Sequence, residues 1–292
     1  MTASHATASH ATVIGARGYV GAHLVERLQS RGLAVLSPLR GEEGQLAGSD
    51  LGDLYYCAGL TVDYARDPVA TAEAHVGLLG RLLQSCRYER VVYLSSTRLY
   101  DAVTVPRLDE TTSLPLEPLR PRHLYDLTKA AGESLCLALA GERARILRLS
   151  CIWSQEPTAQ GFLPDLLRQL MASPTGPGAP PLVLRSHPLL ARHYFQLDEL
   201  LDAMEASVAR GRDSIVHLAS DERPTTNAEL LAFLERRCGV RFHLEGHEGA
   251  APPSPPPQLD LSRCRALLGR DPTPLLSRLD SLLPALTPGL DR

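Results

Sequence analysis

Lysine is nearly missing from this sequence. Of the 30 basic residues in its 292 positions, 29 are arginine, and the only lysine is Lys129. A large excess of either sign of charge is also missing: 33 acidic residues against the 30 basic ones leave a formal charge of −3, which excludes a generally basic nucleic-acid coat. With 44% hydrophobic residues the chain is not of the disordered class. No apolar run reaches the roughly 18 residues of a membrane helix, so neither membrane nor nucleic acid is expected as a partner. The six cysteines, Cys57, Cys86, Cys136, Cys151, Cys238 and Cys264, form no C-x-x-C pair and have no histidine at ligand spacing. That argues against a metal site and for free thiols in a cytoplasmic protein. Residues 1–11, with a repeated Thr-Ala-Ser-His-Ala, have no basic flank followed by an apolar core; they read as a flexible tail rather than a signal peptide.

What is present is an alternation of short apolar runs with helical patterns. Strands are expected at 12–14, 33–36, 54–58, 91–95 and 146–149, and helices from the glycine turn to Gly32, at 69–86 and at 124–140. This order gives an α/β fold, a doubly wound parallel sheet of Rossmann type. Beyond residue 150 proline-rich connectors at 174–181 and 252–257 interrupt the pattern, leaving a strand at 181–184, a helix at 197–209, a strand at 215–219 and a helix at 226–238. The reading is a dinucleotide-binding domain over 12–150 and a smaller, mainly substrate-binding part over 151–292, some of whose segments return to the sheet.

Three groups of residues carry chemistry. Gly15-Ala-Arg17-Gly18-Tyr19-Val20-Gly21 lies between an expected strand and an expected helix, where glycines allow a tight turn and let backbone amides meet a pyrophosphate. The second strand ends without the acid that bonds an NAD ribose. Arg40 stands there instead, and with Arg17 it could meet a 2′-phosphate, so NADP(H) is favoured over NAD(H). Tyr125 and Lys129 sit four apart, on one helical face; with nine tyrosines, a lone lysine would land at that spacing by chance in about 3% of placements. A cation beside a phenol brings it into range for acid–base work. Ser95-Ser96-Thr97 follows the fourth strand, where open parallel sheets bind ligands.

Together these residues resemble the extended short-chain dehydrogenase/reductase family, the NAD-dependent epimerase/dehydratase group that acts mainly on nucleotide sugars. The resemblance runs over residues 13–283. It rests on Gly15, Gly18 and Gly21, on Cys57-Ala58-Gly59, on Ser95-Ser96 with Tyr100, and on Tyr125 with Lys129. It implies Tyr125 as proton donor and acceptor, Lys129 as the group that binds the nicotinamide ribose and lowers the tyrosine pKa, and Ser96 as the substrate-orienting hydroxyl. It also implies Cys57, Ala58 and Gly59 at the cofactor, Thr97 and Cys151 at the substrate, Arg192 at a sugar-nucleotide diphosphate, and a homodimer. The chain departs from the pattern at His75 and Cys151, where relatives commonly have asparagine, and at Thr97-Arg98, where dehydratases have an Asp-Glu pair. Dehydration is thereby disfavoured. The expected function is reduction of a keto-sugar nucleotide, or epimerisation through a keto form; the alternatives are reduction of a non-sugar carbonyl and a non-catalytic nucleotide sensor.

Overall fold

A computed structural model describes residues 10–61, 63–119, 123–173, 178–246 and 251–286. In chain order the first half runs β1 (His10–Ile14), α1 (Tyr19–Ser30), β2 (Ala34–Leu36) and β3 (Asp53–Tyr56). One long helical stretch follows, made of α2 (Pro68–Ala72), a π turn (Glu73–Gly77) and α3 (Leu78–Ser85). Then come β4 (Arg90–Ser96), β5 (Arg107–Leu108), α4 (His123–Ala140) and β6 (Ala144–Leu149). The second half runs β7 (Cys151–Trp153), α5 (Phe162–Ala172), β8 (Leu182–Arg185), β9 (Ala191–Arg192), β10 (Tyr194–Gln196), α6 (Leu197–Ala209), β11 (Ile215–Leu218), β12 (Thr225–Thr226), α7 (Asn227–Cys238), β13 (Phe242–Glu245), β14 (Gln258–Leu259), α8 (Ser262–Leu268) and α9 (Leu275–Leu286).

Six of the strands form one parallel sheet in the order β11-β6-β4-β3-β1-β2. The chain first moves outward from β1 to β2, then reverses past β1 to β3 and beyond, which makes the β1/β3 junction the switch point of a doubly wound fold. Both faces of β3, β4 and β6 are buried, which is why they read as apolar runs rather than alternating ones, whereas β2 is an exposed edge strand. Leu24 and Leu28 of α1 pack on one face together with α6 and α8. Leu79, Leu82 and Leu83 of α3 and Cys136 and Ala140 of α4 cover the other. A separate cluster gathers Trp153 with the inner faces of α5, α7 and α9. Helix α6 and strand β11 thus belong to the sheet layer even though they follow residue 150, whereas α5, α7 and α9 build the smaller lobe.

Several elements differ from the sequence expectation, β7, β10, β13 and α9 among them, and β1 and α5 show the physical reasons. Strand β1 starts at His10, inside the stretch read as a tail: His10 pairs with Ala34, Ala11 is fully buried, and the Thr12 hydroxyl donates to the Leu51 carbonyl at 2.9 Å. Small and polar residues gave no apolar signal there, although the sheet takes them up. Helix α5 was not anticipated. Its buried Leu163, Leu166, Leu167 and Leu170 keep helical spacing, but Gly161 and Pro164 at its start mask the pattern.

Candidate active site

At the switch point the turn after β1 meets the end of β3. Gly15 has φ +83°, and a β-carbon on it would lie 2.7 Å from the Ala58 nitrogen. One on Gly21 would lie 2.3 Å from the Gly15 carbonyl oxygen. Only glycine therefore lets the turn, α1 and the Cys57–Ala58 backbone close on each other. Helix α1 has no acid in its first turn and no side chain capping it from Gly18, so its first amides stay available to an anion. This cradle fits a dinucleotide pyrophosphate. Tyr19 uses its hydroxyl to donate to Ser154 at 2.7 Å, and the side chain of Val20 packs into the core, leaving their backbone as what they offer. Burial pushes the Cys57 thiol up to about 12, so it is neutral.

A cleft of about 370 Å³ lies between α1 and the end of β2, lined by Arg17, Ser37, Pro38 and Leu39 with Glu26 and Gln29 opposite. Arg40, the next residue along, is exposed and outside this lining. Of the two arginines expected to converge here, the structure brings Arg17 to the cleft wall, because the chain turns away at Arg40.

Helix α4 runs along the end of β4. Lys129 is 4% exposed, and its ammonium donates to the Leu94 carbonyl at 2.8 Å while lying 5.1 Å from the centre of the Tyr93 ring. Burial pulls its pKa down to about 8; Glu133, one turn on, opposes that fall. One turn back on the same face is Tyr125, 3% exposed. Ser96 closes β4, 5% exposed, its hydroxyl accepting from the Arg98 amide at 3.2 Å. The Arg98 guanidinium in turn lies 5.4 Å from the centre of the Tyr125 ring. Ser96, Tyr125 and Lys129 are thereby gathered at one end of β4.

Beneath them Glu133 binds Arg148 through two bonds of 2.9 and 2.6 Å and accepts from Ser95 at 2.5 Å. The Thr97 hydroxyl donates to the Leu149 carbonyl at 3.2 Å, which turns it toward β6. Cys151 begins β7. It is solvent-accessible yet hemmed in by protein, so its thiol is raised, and Arg192 and Arg98 are near enough to oppose that rise. Arg192 donates to Asn227 at 3.0 Å and stacks 4.6 Å from the Phe162 ring centre. One side chain was overlooked as part of the surroundings, Tyr64, whose ring lies 5.5 Å from that of Tyr125; His75, at 5.6 Å, was noticed only as a departure from the family pattern. Arg98 was noticed only as a departure. The aromatic and basic character of these residues could have been read, but not the elements that aim them. Among the described residues no histidine, cysteine or acidic cluster could hold a metal ion, and no helix is long and apolar enough to cross a membrane.

Residues 11–215 match the NAD dependent epimerase/dehydratase family, well over half of the chain. The chain belongs to that family. Its fold is shared with UDP-glucose 4-epimerase from Thermotoga maritima, solved with UDP-glucose (TM-score 0.72, 16% identity, 93% of this chain and 96% of that one). It is shared equally with the dTDP-glucose 4,6-dehydratase DesIV from Streptomyces venezuelae, solved with NAD and TYD (TM-score 0.67, 19% identity, 93% and 95%). A curated relative, the 4-hydroxy-2-methyl-3-oxo-4-farnesyl-3,4-dihydroquinoline-1-oxide ketoreductase of Stigmatella aurantiaca, is 29% identical over 188 residues. The match spans about half the length of each protein, 53% of both. An epimerase and a dehydratase on the same fold mean that the fold does not choose the reaction; the site residues must.

Proposed function

We propose that this chain is an NADPH-dependent reductase that acts on the keto group of a nucleotide sugar. The observation that carries the reading is the gathering of Ser96, Tyr125 and Lys129 at the end of β4, beside the glycine cradle of the switch point. The nicotinamide supplies the hydride that reaches the carbonyl carbon. Tyr125 gives its phenolic proton to the carbonyl oxygen as negative charge builds there, and Ser96 donates a hydrogen bond to the same oxygen. Lys129 keeps its ammonium beside the phenolate that results, which lowers the cost of forming it. Thr97 and Arg98 occupy the place of an acid pair, so no carboxylate follows Ser96 to eliminate water. Arg192 and Arg98 flank Cys151 and suit an anionic substrate such as a diphosphate. Arg17, with Arg40 nearby, favours the 2′-phosphate of NADPH.

Epimerisation would use the same residues twice, in opposite directions. Reduction is preferred because an exchangeable NADPH suits net turnover and because the curated relative is a ketoreductase. That relative also favours a second reading, reduction of a non-sugar ketone, with Cys151 in place of a polar contact to a sugar.

The test is oxidation of NADPH against a panel of keto-sugar nucleotides and non-sugar ketones, with NADH alongside. Tyr125→Phe should abolish turnover, at least a thousandfold, with NADPH binding kept. Loss of binding without a specific loss of chemistry would sink the assigned role. Arg17→Ala combined with Arg40→Ala should weaken NADPH at least tenfold more than NADH; equal effects would refute the phosphate assignment.

A further inference from the structure

The first turn of α1, where the glycine cradle ends, is tied to a segment from the other half of the chain. The Tyr19 hydroxyl donates to Ser154 Oγ at 2.7 Å, and the Glu156 amide donates to the same oxygen at 3.1 Å. The Glu156 carboxylate meets His23 Nε2 at 2.6 Å, and His23 Nδ1 lies 2.7 Å from the Tyr19 carbonyl oxygen. Four residues thereby close one ring of hydrogen bonds. The aromatic rings of Tyr19 and His23 pack edge to face inside it at 5.1 Å, and Ser154 anchors it on the buried side.

The proton count of this ring follows from its partners. A carbonyl oxygen and a carboxylate only accept, so both nitrogens of His23 must donate, and a neutral imidazole has one proton to give. The ring closes on an imidazolium. Burial would lower the His23 pKa, but the bonds to the Tyr19 carbonyl and to Glu156 outweigh it and raise the value. Glu26 of α1 adds to that rise; beyond it, Arg27 is held by Asp202 and Glu205 of α6, and Asp198 of α6 acts on Tyr19. The ring is therefore closed below the ordinary histidine value of 6.5 and opens as the pH climbs through the raised one.

The segment held in this way runs directly into the smaller lobe. The carbonyls of Pro157 and Ala159 accept from Arg168 of α5 at 3.3 and 2.6 Å. Phe162, the first residue of α5, has its ring centre 4.6 Å from the Arg192 guanidinium. We propose that His23 and Glu156 are positioning residues: they clasp the cofactor-binding turn to the loop that enters α5 and so set, through Phe162, where Arg192 stands relative to the cofactor. The clasp rests on the reading of the cradle as a dinucleotide site and of Arg192 as a diphosphate ligand. Its two residues touch neither the substrate nor the reacting atoms.

Glu156→Ala and His23→Ala each open the clasp at a partly exposed position. The probes are UDP-glucose and dTDP-glucose, titrated with NADPH bound at pH 6 and pH 9, a span over which their diphosphate esters stay ionised. At pH 6 each variant should bind the sugar nucleotide about fourfold more weakly than the wild type, the scale of a half-exposed ion pair. The double variant should bind no more weakly than either, because both substitutions break one link. The wild type should lose the same factor between pH 6 and pH 9, and the variants should not, although Lys129 discharges in all of them. Additive losses, or an equal response to pH in the variants, would overturn the proposal. NADPH should also slow hydrogen exchange over residues 155–161 in the wild type and not in Glu156→Ala; a merely structural role would leave that protection in place. A wild type that binds neither sugar nucleotide would overturn the substrate reading, while the exchange contrast would still decide the clasp. One that binds neither NADPH nor NADH would overturn both.

Discussion

Lys129 costs the fold stability in order to be where it is. Its pKa of about 8 lies below the 10.5 of a free lysine, so the unfolded chain binds more protons between those values and stability rises with pH across that window. Below about pH 8 the full penalty applies, on the order of 3 kcal/mol. Lys129→Met would remove it and leave the Leu94 carbonyl without its donor, which returns about 1 kcal/mol. The variant is therefore expected to be more stable by about 2 kcal/mol at pH 7 and no more stable at pH 10.5, in urea unfolding, while losing activity. A variant less stable at pH 7 would contradict this. For the wild type, the proposed role of Lys129 beside the Tyr125 phenolate predicts that turnover falls as pH rises through about 8, where the ammonium is discharged. Arginine would not serve at this position: its planar fork does not fit where a compact ammonium sits against one carbonyl.

At the scale of elements, the glycine turn is held by contact rather than by conformational freedom alone. Gly21→Ala would drive a methyl group into the Gly15 carbonyl and push α1 off β1. The expected cost is about 1–3 kcal/mol of stability. A loss of more than tenfold in NADPH affinity should accompany it, read by fluorescence titration. Gly44→Ala is the control, since a β-carbon there meets nothing within 4 Å and the backbone is not left-handed; it should be silent. Equal effects of the two substitutions would mean that glycine at 21 is not needed for the close approach.

Across the whole molecule, one buried polar chain joins the two halves. From Ser95 it passes through Glu133, Arg148 and Tyr100 to His217, whose amide donates to Glu110 at 2.9 Å, and Arg263 of α8 lies against the same carboxylate. Removing one charge from its centre leaves the other buried. Glu133→Gln should cost about 3–5 kcal/mol and lower the melting temperature by about 5–8 degrees. The chain is also the source of acid sensitivity. Burial and the nearby Arg148 hold His217 down at about 3, and His75 is held at the same value, so both stay neutral when folded but take up protons below about pH 6.5 when unfolded. Stability is then lost as pH falls, by about 2 kcal/mol per histidine between pH 6.5 and pH 5. His217→Gln should flatten the slope of unfolding free energy against pH over that interval; an unchanged slope would exclude this source.

Much of this was legible in the residues themselves, because some signals are local. The glycine turn, the four-residue step from Tyr125 to Lys129 and the lone lysine need only neighbouring positions and the period of a helix to be understood. The apolar runs of β3, β4 and β6 are equally local, since strands buried on both faces need no alternation. Other features depend on what lies across the fold. His75 faces Leu60 because a π turn, supported by two tyrosines of the sheet, rotates it inward. Arg98 and Arg192 both come near Cys151 because the ends of β4 and β6 are adjacent, although the residues are far apart in the chain. Arg17 lines the cleft at the end of β2 and Arg40 does not, for the converse reason: the path of the backbone after β2 is set by packing, not by composition. The sequence determined the family, the sheet and the proposal of Ser96, Tyr125 and Lys129 as the reacting set, since each follows from short-range pattern. Only the tertiary structure decided which side chains surround that set and how strongly burial shifts their protons, because enclosure is a property of the packed molecule.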